Sequence, residues 1–204
     1  MDGLRERKKR EARAAIAEAA TSLFAERGFE TVTVADVAAA AGVSAKTVFN
    51  YFPVKEDLVL DSRERIEEEL LAAVADRPAA MSALQAVRAH TIAVARRLDQ
   101  MPDERRLRFR KVLAANPSIK ARLRSLSLET EQRLAVLLEK ETSAAGGDPR
   151  PRLAAGILIS LSHLAYGFDV GDGRALLGHR AAVQRIEQAF DLVARGLGDY
   201  PLRG

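Results

Sequence analysis

The 204-residue chain contains no cysteine. Disulfides, thiolate metal sites and cysteine nucleophiles are therefore excluded, which agrees with a reducing compartment. Histidine is almost as scarce, with His90, His163 and His179 the whole supply. There is no HExxH pair, no nucleophile elbow and no glycine loop that could cradle a phosphate. The "GDG" at 171–173 is an isolated turn, and His163, inside an apolar helical stretch, fits a satisfied core histidine better than a base. The expectation is a protein that is not an enzyme, with no catalytic residues, no metal and no cofactor. No uncharged apolar run reaches the roughly 18 to 20 residues that cross a bilayer. The basic start lacks the apolar core of an export signal. A cytoplasmic protein with no membrane partner is expected.

Alternating β-branched residues are nearly absent as well, while Ala, Leu, Glu and Arg dominate, so the expected fold is all-α. Hydrophobic residues make up 48% of the chain and charged residues 29%, the balance of a globular protein with an ample core. The formal net charge of +4 permits a nucleic-acid partner without requiring one. Arg5, Arg7, Lys8, Lys9, Arg10 and Arg13 crowd the start, opposed by Glu6 and Glu11. Such a run is ordinarily a solvated helix face.

The helical periodicity predicts a first helix over about 4–27, with Ile16, Ala20, Leu23 and Phe24 on one stripe and Gly28 as its stop. Thr33 should cap a second helix, with Asp36 as the acid of a capping box. That helix ends at Gly42. Ser44 then caps a short third helix reaching Asn50 or Tyr51, and Pro53 closes the unit. Further helices are expected over about 54–75, 79–99, 103–115, 118–142, 152–168 and 179–197. "AAGGDPRP" (144–151) and "DVGDGR" (169–174) are the breaks between the last three.

Two short helices joined by a tight turn need a small residue where they cross, here Ala38, and a glycine at the turn, here Gly42. Val37, Ala41, Val43, Val48 and Tyr51 fall at the spacings that bury such a pair against a supporting helix. Ser44, Ala45, Lys46, Thr47 and Asn50 are left facing outward, as a recognition helix requires.

"TVTVADVAAAAGVSAKTVFNYFPVKEDL" resembles the DNA-binding segment of the tetracycline-repressor (TetR) family of bacterial regulators. Thr33, Ala38, Ala41-Gly42-Val43-Ser44, Thr47, Tyr51-Phe52 and Lys55 carry the likeness, over about the first quarter of the chain. The resemblance implies that Thr33, Tyr51 and Lys55 grip phosphates while Lys46, Thr47 and Ser44 face the major groove. Phosphate contacts set register and base-edge contacts set sequence choice. Arg5, Lys8 and Lys9 would lie along the adjacent minor groove. Structural roles stay open beside these: Tyr51 as core, Thr33 as cap alone, Asn50 as a helix end rather than a DNA contact. Val54, where the family commonly has a small polar cap, cannot accept a backbone N–H bond, which weakens the Lys55 assignment.

The expected organisation is a three-helix helix-turn-helix DNA-binding domain over 1–53 and a larger helical-bundle domain over 54–204 for ligand binding and dimerisation. "RLAAGILISLSHLAYGF" (152–168) is apolar nearly all round, so the last two long helices are the expected homodimer surface. Two copies would read a palindromic double-stranded DNA operator. The resemblance also implies a small-molecule effector in the bundle. Its C-terminal part is similar to the mycofactocin-regulator subgroup, associated with acyl-CoA-like ligands. His90, Arg106, Phe109 and Arg110 are the candidate effector contacts, although ordinary core and a solvated basic face account for them too. The function expected is a transcriptional regulator, a repressor released by an apolar or acyl-CoA-like ligand. The alternative is an architectural DNA-binding protein without a ligand switch, which would bind with little sequence preference.

Overall fold

A computed structural model describes residues 2–142, 147–166 and 179–196. Within them all regular structure is helical: α1 (Asp2–Arg27), α2 (Val34–Ala40), α3 (Ala45–Tyr51), α4 (Lys55–Ala75), α5 (Ala83–Asp99), α6 (Asp103–Ala115), α7 (Pro117–Thr142), α8 (Arg150–Ser162) and α9 (His179–Arg195), with a 3-10 turn at His163–Tyr166 after α8. The break expected at 169–174 lies outside the described residues, as do the side chains of Arg5, Arg106 and Arg110. The chain forms two compact units, one from residues 1–65 and 103–126, the other from 66–102 and 127–204.

In the first unit, Ile16, Ala20, Leu23 and Phe24 of α1 are buried on one stripe. Gly28 adopts φ +84° and donates to the Phe24 carbonyl. The chain then folds back so that the Phe29 ring packs 5.1 Å from that of Phe24. Val37 and Ala38 of α2 and Val48 of α3 are buried. Gly42 takes φ +66° at the turn between α2 and α3, and Val43 donates to the Ala38 carbonyl there. Ala41, Val43 and Tyr51 are half-buried.

The second unit holds the larger core, with Leu70, Val74, Val87, Val94, Leu134, Leu158, Ile186 and Phe190 among its buried residues. Here α5 packs against α8, α9 and the 3-10 turn. The start of α5 and the end of α8 differ most from expectation. Helix α5 starts at Ala83 rather than near 79, because Ser82 and Gln85 form a reciprocal capping box that fixes the first turn. Helix α8 ends at Ser162, where the chain tightens into the 3-10 turn rather than continuing to 168.

A Cβ added at Gly42 meets no described atom within 4 Å, so the cost of a side chain there is conformational alone. Gly42→Ala should lower unfolding free energy by about 1–2 kcal/mol with helix content unchanged, as read by urea denaturation followed by circular dichroism. An unchanged midpoint would contradict the φ assigned to this turn.

Candidate nucleic-acid interface

The polar face of α3 is built from both of its ends. At the start, the Ser44 hydroxyl accepts from the Thr47 backbone N–H at 3.0 Å and pairs with the Thr47 hydroxyl at 2.8 Å. Ser44 thus caps the helix and engages the other expected major-groove hydroxyl, that of Thr47, which is half-buried. Lys46 and Asn50 are exposed. Opposite them, Val48 is fully buried and sets the rotation of the helix.

At the far end, Arg13 of α1 clamps the exit of α3. Its Nε donates to Asp61 at 2.6 Å, one terminal nitrogen donates to the Tyr51 carbonyl at 3.2 Å, and the other donates to Glu64. The guanidinium also lies 4.7 Å from the centroid of the buried Phe52 ring. Burial works against its charge. The hydrogen bond and charge of Asp61, joined by those of Glu64, outweigh that burial, so Arg13 is held more firmly protonated than an ordinary arginine. It therefore belongs to the brace and not to the solvated basic run. The signal was in the sequence, since position 13 continues the buried stripe of Ile16 and Ala20 by three residues.

Thr33 caps α2 as expected. Its hydroxyl and backbone N–H both donate to Asp36, at 2.6 and 2.8 Å, and the Asp36 N–H returns a bond at 3.2 Å. These hydrogen bonds hold the Asp36 carboxyl below the usual aspartate range. Tyr51 is half-buried. The Lys55 ammonium donates to the Phe29 carbonyl and sits 4.3 Å from the Phe29 ring centroid, pinning the turn after α1. A phosphate contact would use its remaining N–H donors. Lys8 and Lys9 are exposed along α1.

Val54 indeed offers no side-chain cap to α4, and its backbone N–H reaches Asp57 at 3.4 Å instead. Asp57 is 5% exposed and receives Arg122 of α7 at 2.7 Å. No local pattern links these two residues, 65 positions apart. Phe49, on the outward side of α3, is 49% exposed. Its position beside Lys46 on the helical wheel could have marked it.

Of the candidate effector residues, His90 lies in the second unit and Phe109, half-buried, in the first. Burial pushes the His90 imidazole below the ordinary histidine range, opposed by the charge of Glu69 and helped by that of Arg97. Its Nε2 is buried with no protein partner.

A helix-turn-helix braced from behind, with an exposed polar second helix, defines the class: a DNA-binding protein. Comparison with known proteins gives the family. The profile of the bacterial regulatory proteins of the tetR family matches residues 16–61. The transcriptional regulator TcmR of Streptomyces glaucescens is 32% identical over 168 residues, covering 79% of this chain and 74% of the relative. MftR of Mycobacterium tuberculosis, named for the regulation of mycofactocin biosynthesis, is 23% identical over 89% of each chain. Among solved structures, the fold is similar to FadR of Thermus thermophilus, a TetR-family repressor in complex with lauroyl-CoA. That match has a TM-score of 0.52 and 23% identity, and covers 94% of this chain and 99% of that one. The chain belongs to the tetR family, whose members are helix-turn-helix transcriptional regulators that bind DNA operators and small-molecule effectors and act as dimers.

The depressed His90 value has a stability consequence. The folded protein resists protonating His90, so its contribution is present above the unfolded value of about 6.5 and is lost as pH falls through it. Between pH 7.5 and 5.5 the wild-type chain should lose more stability than His90→Gln. Equal losses in denaturant titrations at the two pH values would contradict the burial of this imidazole.

Proposed function

We propose that the chain is a homodimeric repressor that binds a palindromic operator through α3 and is released from it by a small apolar or acyl-CoA-like effector. The observation that carries this reading is the outward face of α3, where Ser44, Lys46, Thr47 and Asn50 surround a helix locked by Val48 and Arg13. Lys46, Thr47 and Ser44 face base edges. Thr33, Tyr51 and Lys55 hold phosphates, Asn50 joins the face, and Arg5, Lys8 and Lys9 follow the neighbouring minor groove. Residues 1–53 serve DNA binding, and 54–204 serve effector binding and dimerisation. Such a protein works in the cytoplasm, where its DNA is, and no described helix is long and apolar enough to cross a membrane.

Support for the dimer comes from a shallow groove along α8 and α9, lined by Leu153, Gly156, Ile157, Leu161 and Val193. Leu153 is 65% exposed there, a large apolar side chain suited to a second copy. Support for the effector comes from His90. Its Nε2 is buried and unpartnered, and an effector with a polar group that hydrogen-bonds to an imidazole nitrogen would satisfy it. Arg106, Phe109 and Arg110 are the further effector contacts proposed. An effector shifts the dimer only if it binds the DNA-incompetent state more tightly.

Selection of bound sites from random DNA should return two inverted half-sites whose centres lie about 34–36 Å apart or a multiple of that. On the selected operator, Lys46→Ala or Thr47→Ala should cost about 1–3 kcal/mol and relax choice at one base position. Tyr51→Phe should weaken every sequence evenly. Full operator binding by all three variants would overturn the site assignment.

A further inference from the structure

Phe49 is the exposed phenylalanine among those described. Phe24, Phe29, Phe52 and Phe190 are at most 5% exposed and Phe109 is half-buried, whereas Phe49 is 49% exposed on the helix that carries the polar face. At 100° per residue, Phe49 falls 60° from Lys46 on one side and Asn50 falls 40° from it on the other. Val48 points the opposite way into the core. The phenyl ring is thus part of the same surface as Lys46 and Asn50, and turning it inward would expose Val48.

A phenyl ring has no donor or acceptor for the polar edges of bases. The major groove presents one apolar base-edge group, the 5-methyl of thymine, and apolar side chains read it by contact. We propose that Phe49 is a specificity-determining residue that packs on a thymine 5-methyl group beside the base contacted by Lys46. The inference rests on α3 entering the major groove, the reading given above, and adds what one position in each half-site must be. Packing of the same ring on a deoxyribose would be blind to sequence, which makes the two roles separable.

The test uses the full chain and the operator selected from random DNA. Each thymine of a half-site is replaced in turn by deoxyuridine, which removes the methyl and leaves base pairing intact. Affinities are then measured by fluorescence anisotropy at fixed salt. The wild type should bind about fourfold more weakly at one thymine per half-site, the equivalent of about 0.8 kcal/mol for one methyl group. Phe49→Ala should bind the thymine operator more weakly and show no preference for thymine over deoxyuridine there, while Phe49→Leu should retain a preference. The exposed site predicts an unchanged melting curve for both variants. Wild-type indifference to every replacement, or a preference that survives in Phe49→Ala, overturns the assignment while leaving operator binding in place. A chain that enriches no sequence at all overturns the operator reading itself, and the thymine contact with it.

Discussion

The guanidinium of Arg13 is the point on which the DNA-binding unit turns. A seven-residue helix such as α3 is too short to hold itself in water, since nucleation costs more than one or two turns return. Its position must come from outside. Val48 fixes the rotation of α3 by burial, and Arg13 fixes its exit by gripping the Tyr51 carbonyl while bound to Asp61 and Glu64 of α4. The planar fork suits this task because its donors leave in fixed directions, which a lysine would not reproduce. The ring of Phe52 behind it gives the cation a further partner. Recognition residues gain from such bracing because less order has to be created when DNA arrives.

The same economy appears at the other end of the unit. Thr33 and Ser44 each satisfy orphan N–H groups at a helix start and leave hydroxyl lone pairs near the surface. A capping residue and a DNA contact are not rivals at such a place, because a cap already sits where the helix dipole attracts an anion. Lys55 shows the opposite compromise: its ammonium is drawn inward by the Phe29 carbonyl and ring. Asp57 ties the beginning of α4 to Arg122 of α7, so the unit carries a second buried charged anchor. Removing Arg122 would take this counter-charge from a carboxylate that is almost fully buried.

Local signals made much of this legible in the sequence. The stripe of Ile16, Ala20, Leu23 and Phe24, the stop at Gly28, the Thr33–Asp36 box and the glycine at 42 each depend on residues a few positions apart. The start of α5 was equally readable from Ser82 and Gln85, yet helical composition upstream masked it. What could not be read is the pairing of charges. Arg13 meets Asp61 and Glu64 at separations of 48 and 51 residues, and Asp57 meets Arg122 at 65. The stripe marks position 13 as inward-facing, but it does not say which carboxylates folding brings to the arginine there. The outward ring of Phe49 was legible from its place beside Lys46 on the helical wheel, although its neighbours Val48, Tyr51 and Phe52 suggest core.

Lysine labelling by an amine-reactive reagent, read by mass spectrometry with and without the selected operator, tests most directly that the braced face of α3 meets DNA. Lys46 is exposed in the free chain, as is Lys140 near the end of α7. The account predicts that operator slows labelling of Lys46 several-fold and leaves Lys140 unchanged. Lys46 reacting equally fast in free and operator-bound protein would contradict it.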